Sequence, residues 1–500
     1  MRTPLGVTVP WDKRREECGV FGIRTQGAAA PYVHLGLYAL QHRGQESAGI
    51  ATWDGTRTHL VKDMGLVAQV FTPERLAQLP GGVGIGHVRY STMGGARLEN
   101  AQPFIEETPW GTLALAHNGN LVNAPMLRAA LEDAGCRFRA TSDTEVMTKL
   151  IATAPARTLE EAVAYCMERI LGAYTAVALV GDTLMAFRDA HGIRPLAMGR
   201  LGGDVVFASE SCAFDHVGAA AAADVGPGEL LMAGPDGLRS VQVLPPDRRA
   251  SCVFEYIYFA RPDSVLESQN VHHVRRRMGR VLAREHPAAA DAVIAVPDSG
   301  TSAAMGFAET AGVPHEVGLI KNKYIGRTFI QPDPSMRDFG VRVKLNAVRD
   351  VVEGRRIVLV DDSIVRGTTS RQIVRLLRQV GAREVHVRIS SPPIRHACFY
   401  GIDTSNRGEL VASRLSVDEI RREIEADSLG YLSVDGLVAA LDLPRPQMCL
   451  ACLTGAYPTE TPTEALAGRF ALESRAAAPS AAVAPPRAAG GRTVLETPRA

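Results

Sequence analysis

The sequence predicts an α/β protein built from two unlike halves, and three observations carry that expectation. From Cys18 to about residue 245, short alternating or apolar runs bounded by glycine read as strands of a largely antiparallel sheet. Beyond "LPPDRRAS", at 244–251, the rhythm changes to strand, glycine-bearing turn, helix, strand, as βαβ units with a parallel sheet require. The chain has 500 residues, more than one compact core organises at roughly 100–200 residues per domain.

The N-terminal stretch is the charged run Asp12 to Glu17 followed by "CGVFGI". Cys18 could simply be a small residue opening a buried strand. Alternatively residues 1–17 are a leader removed on maturation, which makes Cys18 the first residue. A cysteine attacks as its thiolate and needs a proton acceptor. A free α-amine, with a reference pKa of about 7.7–8.0, serves that need, whereas a peptide nitrogen with a delocalised lone pair does not.

Further along, "TLALAHNGN" (112–120), "AYTAVALVGD" (173–182) and "TLMAFRDAHGIRPLAMG" (183–199) read as strands. "TSDTEVMTKLIAT" reads as a helix opened by a capping box, Ser142 with Glu145 three residues later. In the second half "DAVIAVPDSG" leads into "TSAAMGFAETAG", and "RRIVLVDDSIVRGTT" leads into "SRQIVRLLRQVG" and "EVHVRIS". From about residue 474 the chain is Ala/Pro/Gly-rich without an apolar face, which predicts a disordered tail.

Composition excludes several classes. The net charge of +1 is spread evenly, so no nucleic-acid footprint is expected. No window approaches the roughly 18 apolar residues of a membrane span, and residues 1–17 lack a secretory apolar core, so a cytoplasmic protein is expected. Eight cysteines in such a chain point to packing, catalysis or metal rather than a disulfide framework. Of the six lysines, Lys321, Lys323 and Lys344 fall in one segment, 320–346.

The apolar run Ile357–Val360 ends in Asp361 and Asp362 and then a glycine turn before a helix. Ligands of open α/β sheets bind at such strand ends. Paired acids suit ribose hydroxyls and a magnesium shell, while Gly367, Thr368 and Thr369 offer a phosphate backbone NH groups and hydroxyls. The full run "VLVDDSIVRGTTS" resembles the phosphoribosyl-pyrophosphate (PRPP) signature of type I phosphoribosyltransferases. That resemblance implies PRPP contacts from Asp361, Asp362, Ser363, Arg366, Gly367, Thr368 and Thr369. It also implies a pyrophosphate turn at "VPDSGTSAA" (296–304), with Ser299 matched to a magnesium ligand beside Asp361 and Asp362. The lysine-bearing segment is similar to the loop that closes over pyrophosphate in this family, which brings Lys344 into the PRPP-binding set.

In the first half, "CGVFGI", "LQHRGQESAGI" (40–50), "IGHVRYST" (85–92), "LAHNGNLVN" (115–123) and "SDTEV" (142–146) resemble, in order, a class II, N-terminal-nucleophile glutamine amidotransferase domain. The fold implied is the αββα layering of Ntn hydrolases. By position, Cys18 matches the nucleophile. Arg89 and Asp143 match the groups that hold the glutamine carboxylate and amine, and Asn118 and Gly119 match the oxyanion hole.

Together the halves resemble the glutamine PRPP amidotransferase family over roughly residues 12–465, divided as leader 1–17, glutaminase 18–247, phosphoribosyltransferase 248–468 and tail 469–500. The resemblance implies conversion of glutamine, PRPP and water to 5-phosphoribosylamine, glutamate and pyrophosphate, the first committed step of purine synthesis. Ammonia would pass through an internal channel, with Tyr90 beside it. Family membership further implies a homotetramer inhibited by purine nucleotides. Cys449 and Cys452 form a CxxC that alone does not choose between metal and redox roles. One branch of the family has a leader and a 4Fe-4S cluster whose four ligands match Cys252, Cys398, Cys449 and Cys452; by spacing alone four thiolates also suit zinc. Cys136, Cys166 and Cys212 match no motif and are expected to be packing residues.

Overall fold

The computed structural model describes residues 18–90, 95–246, 248–322, 345–402 and 407–461, together with Leu472 and Val494–Leu495. The first half forms two antiparallel sheets. One contains β1 (Gly19–Arg24), β2 (Ser47–Trp53), β3 (Thr58–Met64), β4 (Val83–Arg89), β9 (Ala197–Leu201), β10 (Asp204–Ala208) and β11 (Ala220–Asp224), ordered β11-β9-β10-β1-β4-β2-β3. The other contains β5 (Phe104–Thr108), β6 (Gly111–Leu121), β7 (Gly172–Val180), β8 (Thr183–Arg188), β12 (Glu229–Gly234) and β13 (Gly237–Gln242). Its outer edge beyond β13 carries the two-residue β25 (Val494–Leu495). The tail expected to be disordered thus contributes one short pairing, made possible by the open ladder of an edge strand; the rest of that tail, Leu472 apart, lies outside the described residues.

The two sheets face each other through Val20, Ile85, Val177, Leu184 and Phe207. Helices Ala29–Ala39 and Cys212–Val217 cover the far side of the first sheet over Phe21, Val33, Leu37 and Phe214. Helices Ala124–Asp133, Asp143–Ala152 and Leu159–Met167 cover the second over Leu115, Val146, Ile151 and Phe187. This is the αββα layering that the resemblance implied. With both faces covered, all nine residues of β7 are buried, so its sequence shows an apolar run rather than alternation. Each fully buried large side chain contributes roughly 1.5–3 kcal/mol.

One local expectation is corrected. The Ser142 hydroxyl caps helix Asp143–Ala152 by accepting from Thr144 N at 3.3 Å. The Glu145 carboxylate instead accepts from Arg139 N and Ala140 N, at 2.9 and 2.8 Å, closing the preceding loop rather than a capping box. Two NH groups, one of them buried, offer that carboxylate more than the single one at the cap.

A junction follows, with β14 (Ser251–Cys252), one turn of π-helix at Glu255–Phe259 and a small hairpin, β15 (Val265–Leu266) with β16 (Gln269–Asn270). The second half is centred on a parallel sheet of β17 (Ala292–Ala295), β18 (His315–Glu316), β21 (Arg356–Asp361), β22 (Glu384–Ile389) and β23 (Ser428–Tyr431), ordered β18-β17-β21-β22-β23. Alternation along β21 serves both faces. Val358 and Val360 pack with Met278 and Phe307, from helices Val271–Glu285 and Thr301–Ala311. Ile357 and Leu359 pack with Ile373 and Leu377, from helix Thr368–Gln379. β19 (Leu319–Lys321) and β20 (Leu345–Ala347) pair antiparallel and bring the two ends of the lysine-bearing segment together. β24 (Met448–Cys449) pairs parallel with β14.

The apolar core of the second half takes in Ala173 of β7 and Ile193 alongside Phe254 and Tyr400. Among the described residues no helix is long and apolar enough to cross a membrane.

Candidate active sites

Cys18 immediately precedes β1 and is 6% exposed. Its thiol donates to Tyr90 O at 3.2 Å and accepts from Tyr90 N at 3.5 Å, so the end of β4 brackets the sulfur. Burial pushes the Cys18 thiol up to about 11, against the lowering pull of the Tyr90 hydrogen bond and the Arg89 charge. The thiol therefore stays protonated near neutrality unless a base is placed beside it.

Cys18, Arg89, Tyr90, Gly119 and Asp143 line one pocket, completed by Gln102, His117 and Ser142. Arg89 ends β4, 2% exposed, with Glu46 Oε2 at 3.5 Å and Gly95 O at 3.3 Å. Asp143 begins its helix and accepts from Leu121 N at 3.1 Å. The pocket thus has a guanidinium and a carboxylate flanking the thiol, a match for an amino acid's two charged groups.

Asn118 lies on β6, 1% exposed, and its Nδ2 has no hydrogen-bond partner. A buried donor left so costs about 1–3 kcal/mol, a cost a bound acceptor would recover. Gly119 next to it has φ +142°, and a Cβ there would stand 2.0 Å from Ala173 O. Only glycine permits that path of β6 across β7.

Beneath the thiol, Arg43 Nε donates to Cys18 O at 3.1 Å. Its guanidinium also binds Glu210 and, from the second half, Glu255, with Nη2 to Oε1 at 2.7 Å. Arg194 Nη1 lies 3.5 Å from the same Glu255 oxygen. Burial pushes the Glu210 carboxyl up, but His42 and Arg43 outweigh it and hold the group well below the usual range. Arg43 stood within "LQHRGQESAGI" without an assigned role, and Glu210, Glu255, Arg194 and the pocket residues Gln102, His117 and Ser142 were not singled out for the site.

In the second half, Asp361 and Asp362 end the central strand, 3% and 1% exposed. Asp362 N donates to Asp361 Oδ1 at 2.9 Å, Ser363 Oγ donates to Asp362 Oδ1 at 2.6 Å, and Ser299 Oγ donates to Asp362 Oδ2. Ser299, expected in the magnesium shell, thus lies directly beside Asp362. Gly367 caps helix Thr368–Gln379 with φ +86°, turning the chain so that the helix N-terminus follows the acids. Arg366 pairs with Glu409 at the surface. Lys321 pairs with Asp298 at 2.9 Å; Lys323 and Lys344 lie outside the described residues.

Cys252, Cys398, Cys449 and Cys452 are 6–8% exposed free thiols in one core cluster. Cys252 and Cys449 are register partners of β14 and β24, and Cys452 O accepts from Arg395 N and His396 N, both at 3.1 Å, close to Cys398. Among the described residues no three His, Cys, Asp or Glu side chains are gathered for a single ion. Four buried thiols are a donor set whose chemistry suits a 4Fe-4S cluster and zinc alike. Of the others, Cys166 and Cys212 are buried and Cys136 is half-buried at the rim of the second-sheet core.

The two centres define a glutamine amidotransferase half joined to a phosphoribosyltransferase half. Residues 87–216 match the glutamine amidotransferase domain family and residues 263–390 the phosphoribosyl transferase domain family. The chain is 51% identical to the amidophosphoribosyltransferase of Bacillus subtilis (strain 168) over 450 residues, covering 89% of this chain and 94% of that one. It is 50% identical to the chloroplastic amidophosphoribosyltransferase 2 of Arabidopsis thaliana, covering 91% and 81%. A solved structure described as the allosteric regulatory enzyme of purine biosynthesis superposes with a TM-score of 0.87 at 49% identity, covering 91% and 99%. The B. subtilis glutamine PRPP amidotransferase complexed with ADP and GMP superposes at 0.85 and 50% identity, covering 89% and 98%. This chain belongs to the amidophosphoribosyltransferase family.

Proposed function

We propose that this chain converts glutamine, PRPP and water to 5-phosphoribosylamine, glutamate and pyrophosphate, the first committed step of purine biosynthesis. The observation that carries the reading is the buried Cys18 thiol sharing one pocket with Arg89, Asp143 and Gly119. The neighbouring Asn118, whose buried Nδ2 has no partner, is not among the residues lining that pocket and joins the oxyanion hole on the family resemblance. Removal of residues 1–17 frees the Cys18 amine, which takes the thiol proton. Arg89 then binds the glutamine carboxylate and Asp143 its ammonium. The sulfur attacks the side-chain carbonyl, and Asn118 Nδ2 with Gly119 NH receives the developing oxyanion. The proton passes to the departing ammonia, and water splits the thioester to glutamate.

Ammonia moves past Tyr90 into the half spanning 248–468. There Asp361 and Asp362 orient the ribose hydroxyls, while the turn Ser363–Thr369, with Arg366, Gly367 and Thr368, receives the 5-phosphate at a helix N-terminus. Lys344, outside the described residues, is assigned to the PRPP-binding set on the family resemblance alone. Asp361, Asp362 and Ser299 supply hard oxygen donors suited to Mg2+, which would neutralise charge on the leaving pyrophosphate. Ammonia attacks C1 as the C1–O bond to pyrophosphate breaks.

The four-cysteine core is read as the site of a 4Fe-4S cluster with a structural role, since neither half-reaction transfers electrons. Absorbance near 400 nm and iron content of anaerobically purified protein test it; zinc in place of iron overturns it. A cytoplasmic homotetramer inhibited by purine nucleotides completes the reading; of these, only the nucleotide binding has support, from the relative solved with ADP and GMP. PRPP-dependent glutamate release is the deciding assay. Cys18→Ala is expected to abolish it and to keep ammonia-dependent synthesis; glutamine-dependent synthesis surviving in Cys18→Ala overturns the assignment.

A further inference from the structure

The end of β6 that carries Asn118 and Gly119 is not held by the glutaminase half alone. Asn120 Nδ2 donates to Phe399 O at 2.9 Å, across 279 residues of sequence. Gly401, at φ +102°, packs on the backbone of Gly119, so that a Cβ at position 401 would stand 3.1 Å from the Gly119 carbonyl carbon and 3.2 Å from its Cα. Between these contacts, Tyr400 O accepts from Arg194 Nε at 2.8 Å and from Arg194 Nη2. Arg194 in turn meets Glu255, the acid that holds Arg43 under Cys18 O. All three contacts come from one short segment, Phe399–Gly401, of the phosphoribosyltransferase half.

We propose that Phe399–Gly401 is a positioning element of the glutaminase centre, fixing Asn118 and Gly119 at oxyanion distance through Asn120 and through the Gly401–Gly119 backbone contact. It deepens the function proposed above and rests on it. The geometry demands glycine at 401 twice over: the backbone lies in the left-handed region, and a methyl group would press Gly119 by a few tenths of an ångström. Gly119 cannot yield sideways, because its other flank lies against Ala173 O. Oxyanion donors act only when aimed at the place where charge develops, and losing one costs roughly 10²–10³ in kcat. A displacement of tenths of an ångström is expected to cost about tenfold.

The test uses full-length processed enzyme with Gly401→Ala and Asn120→Ala. Each is expected to lower kcat for glutamine-dependent synthesis about tenfold with little change in the KM for glutamine, because Arg89 and Asp143 are not moved. Ammonia-dependent synthesis should stay at the wild-type level. Alkylation of Cys18 by iodoacetamide, which forms no oxyanion, should proceed at the wild-type rate when followed by peptide mass. If both variants keep wild-type kcat, or if alkylation and glutamine turnover fall together as in a loosened fold, the proposal is overturned. Wild-type enzyme without glutamine-dependent synthesis would instead defeat the underlying function, a different outcome from an active wild type with equally active variants.

Discussion

Arg43 Nη2 meets Glu255 Oε1 at 2.7 Å across the seam between the two halves, with side chains 0% and 2% exposed. Removing Glu255 strips Arg43 and Arg194 of a shared buried partner and leaves Arg43 only Glu210, a loss expected to be a sizeable part of the roughly 3–5 kcal/mol that a fully uncompensated buried charge costs. Glu255→Ala is therefore expected to lower the urea midpoint markedly, and to slow glutamine turnover more than ammonia-dependent synthesis, since Arg43 also holds Cys18 O.

The same cluster fixes a pH dependence. The Glu210 carboxyl, ordinarily near 4.5, is held well below that value in the fold by His42 and Arg43 in spite of its burial. A depressed carboxyl contributes stability that is present above about 4.5 and lost as pH falls toward the folded value. Acid titration of the melting temperature should show a decline beginning below about 4.5 that is shallower in Glu210→Gln, which starts from a lower plateau.

Reactivity of Cys18 should depend on processing. With the leader in place the thiol titrates near 11, so iodoacetamide labelling at Cys18 should keep rising across the neutral and mildly alkaline range. Once the amine is free, labelling and glutamine turnover should level off near about 8, the reference range of an α-amino group. Intact mass of the active protein should begin at Cys18; turnover by protein that still begins at Met1 would remove the basis for the mechanism.

Asn118→Ala separates stability from function. Because Nδ2 has no partner, deleting the amide should leave the melting temperature unchanged or slightly higher, while glutamine-dependent kcat drops roughly 10²–10³-fold. A large loss of stability would show that the amide is structural.

Ser299→Ala removes the hydroxyl that donates to Asp362 Oδ2. Groups that orient or complete a metal shell typically govern affinity by roughly 10–100-fold, so the Mg2+ concentration for half-maximal ammonia-dependent synthesis should rise by that order.

Much of this was legible in the sequence because it is local. Asp361, Asp362 and Gly367 belong to one strand, turn and helix, and the residue order alone places acids before a helix N-terminus. Cys18, Arg89, Gly119 and Asp143 stood in separate motifs, and their convergence on one pocket followed from the resemblance rather than from spacing. Arg43 and Glu255 were illegible as partners: they lie 212 residues apart, and charged residues in a sequence give no sign of whether they will be buried. Glu145 shows the opposite failure. Its spacing from Ser142 suited a cap, but the loop at Arg139–Ala140 offered two NH groups the pattern could not reveal.

Ala173 and Ile193 belong to the same oily cluster as Phe254 and Tyr400, and this bears on how the gene can be cut. A fission at 244–251 would uncover these apolar contacts and split the buried Arg43–Glu255 pair, so each fragment should be less stable until it met the other. Continuity of the reading frame thus supports the fold, and fragments made separately should melt lower than the co-expressed pair.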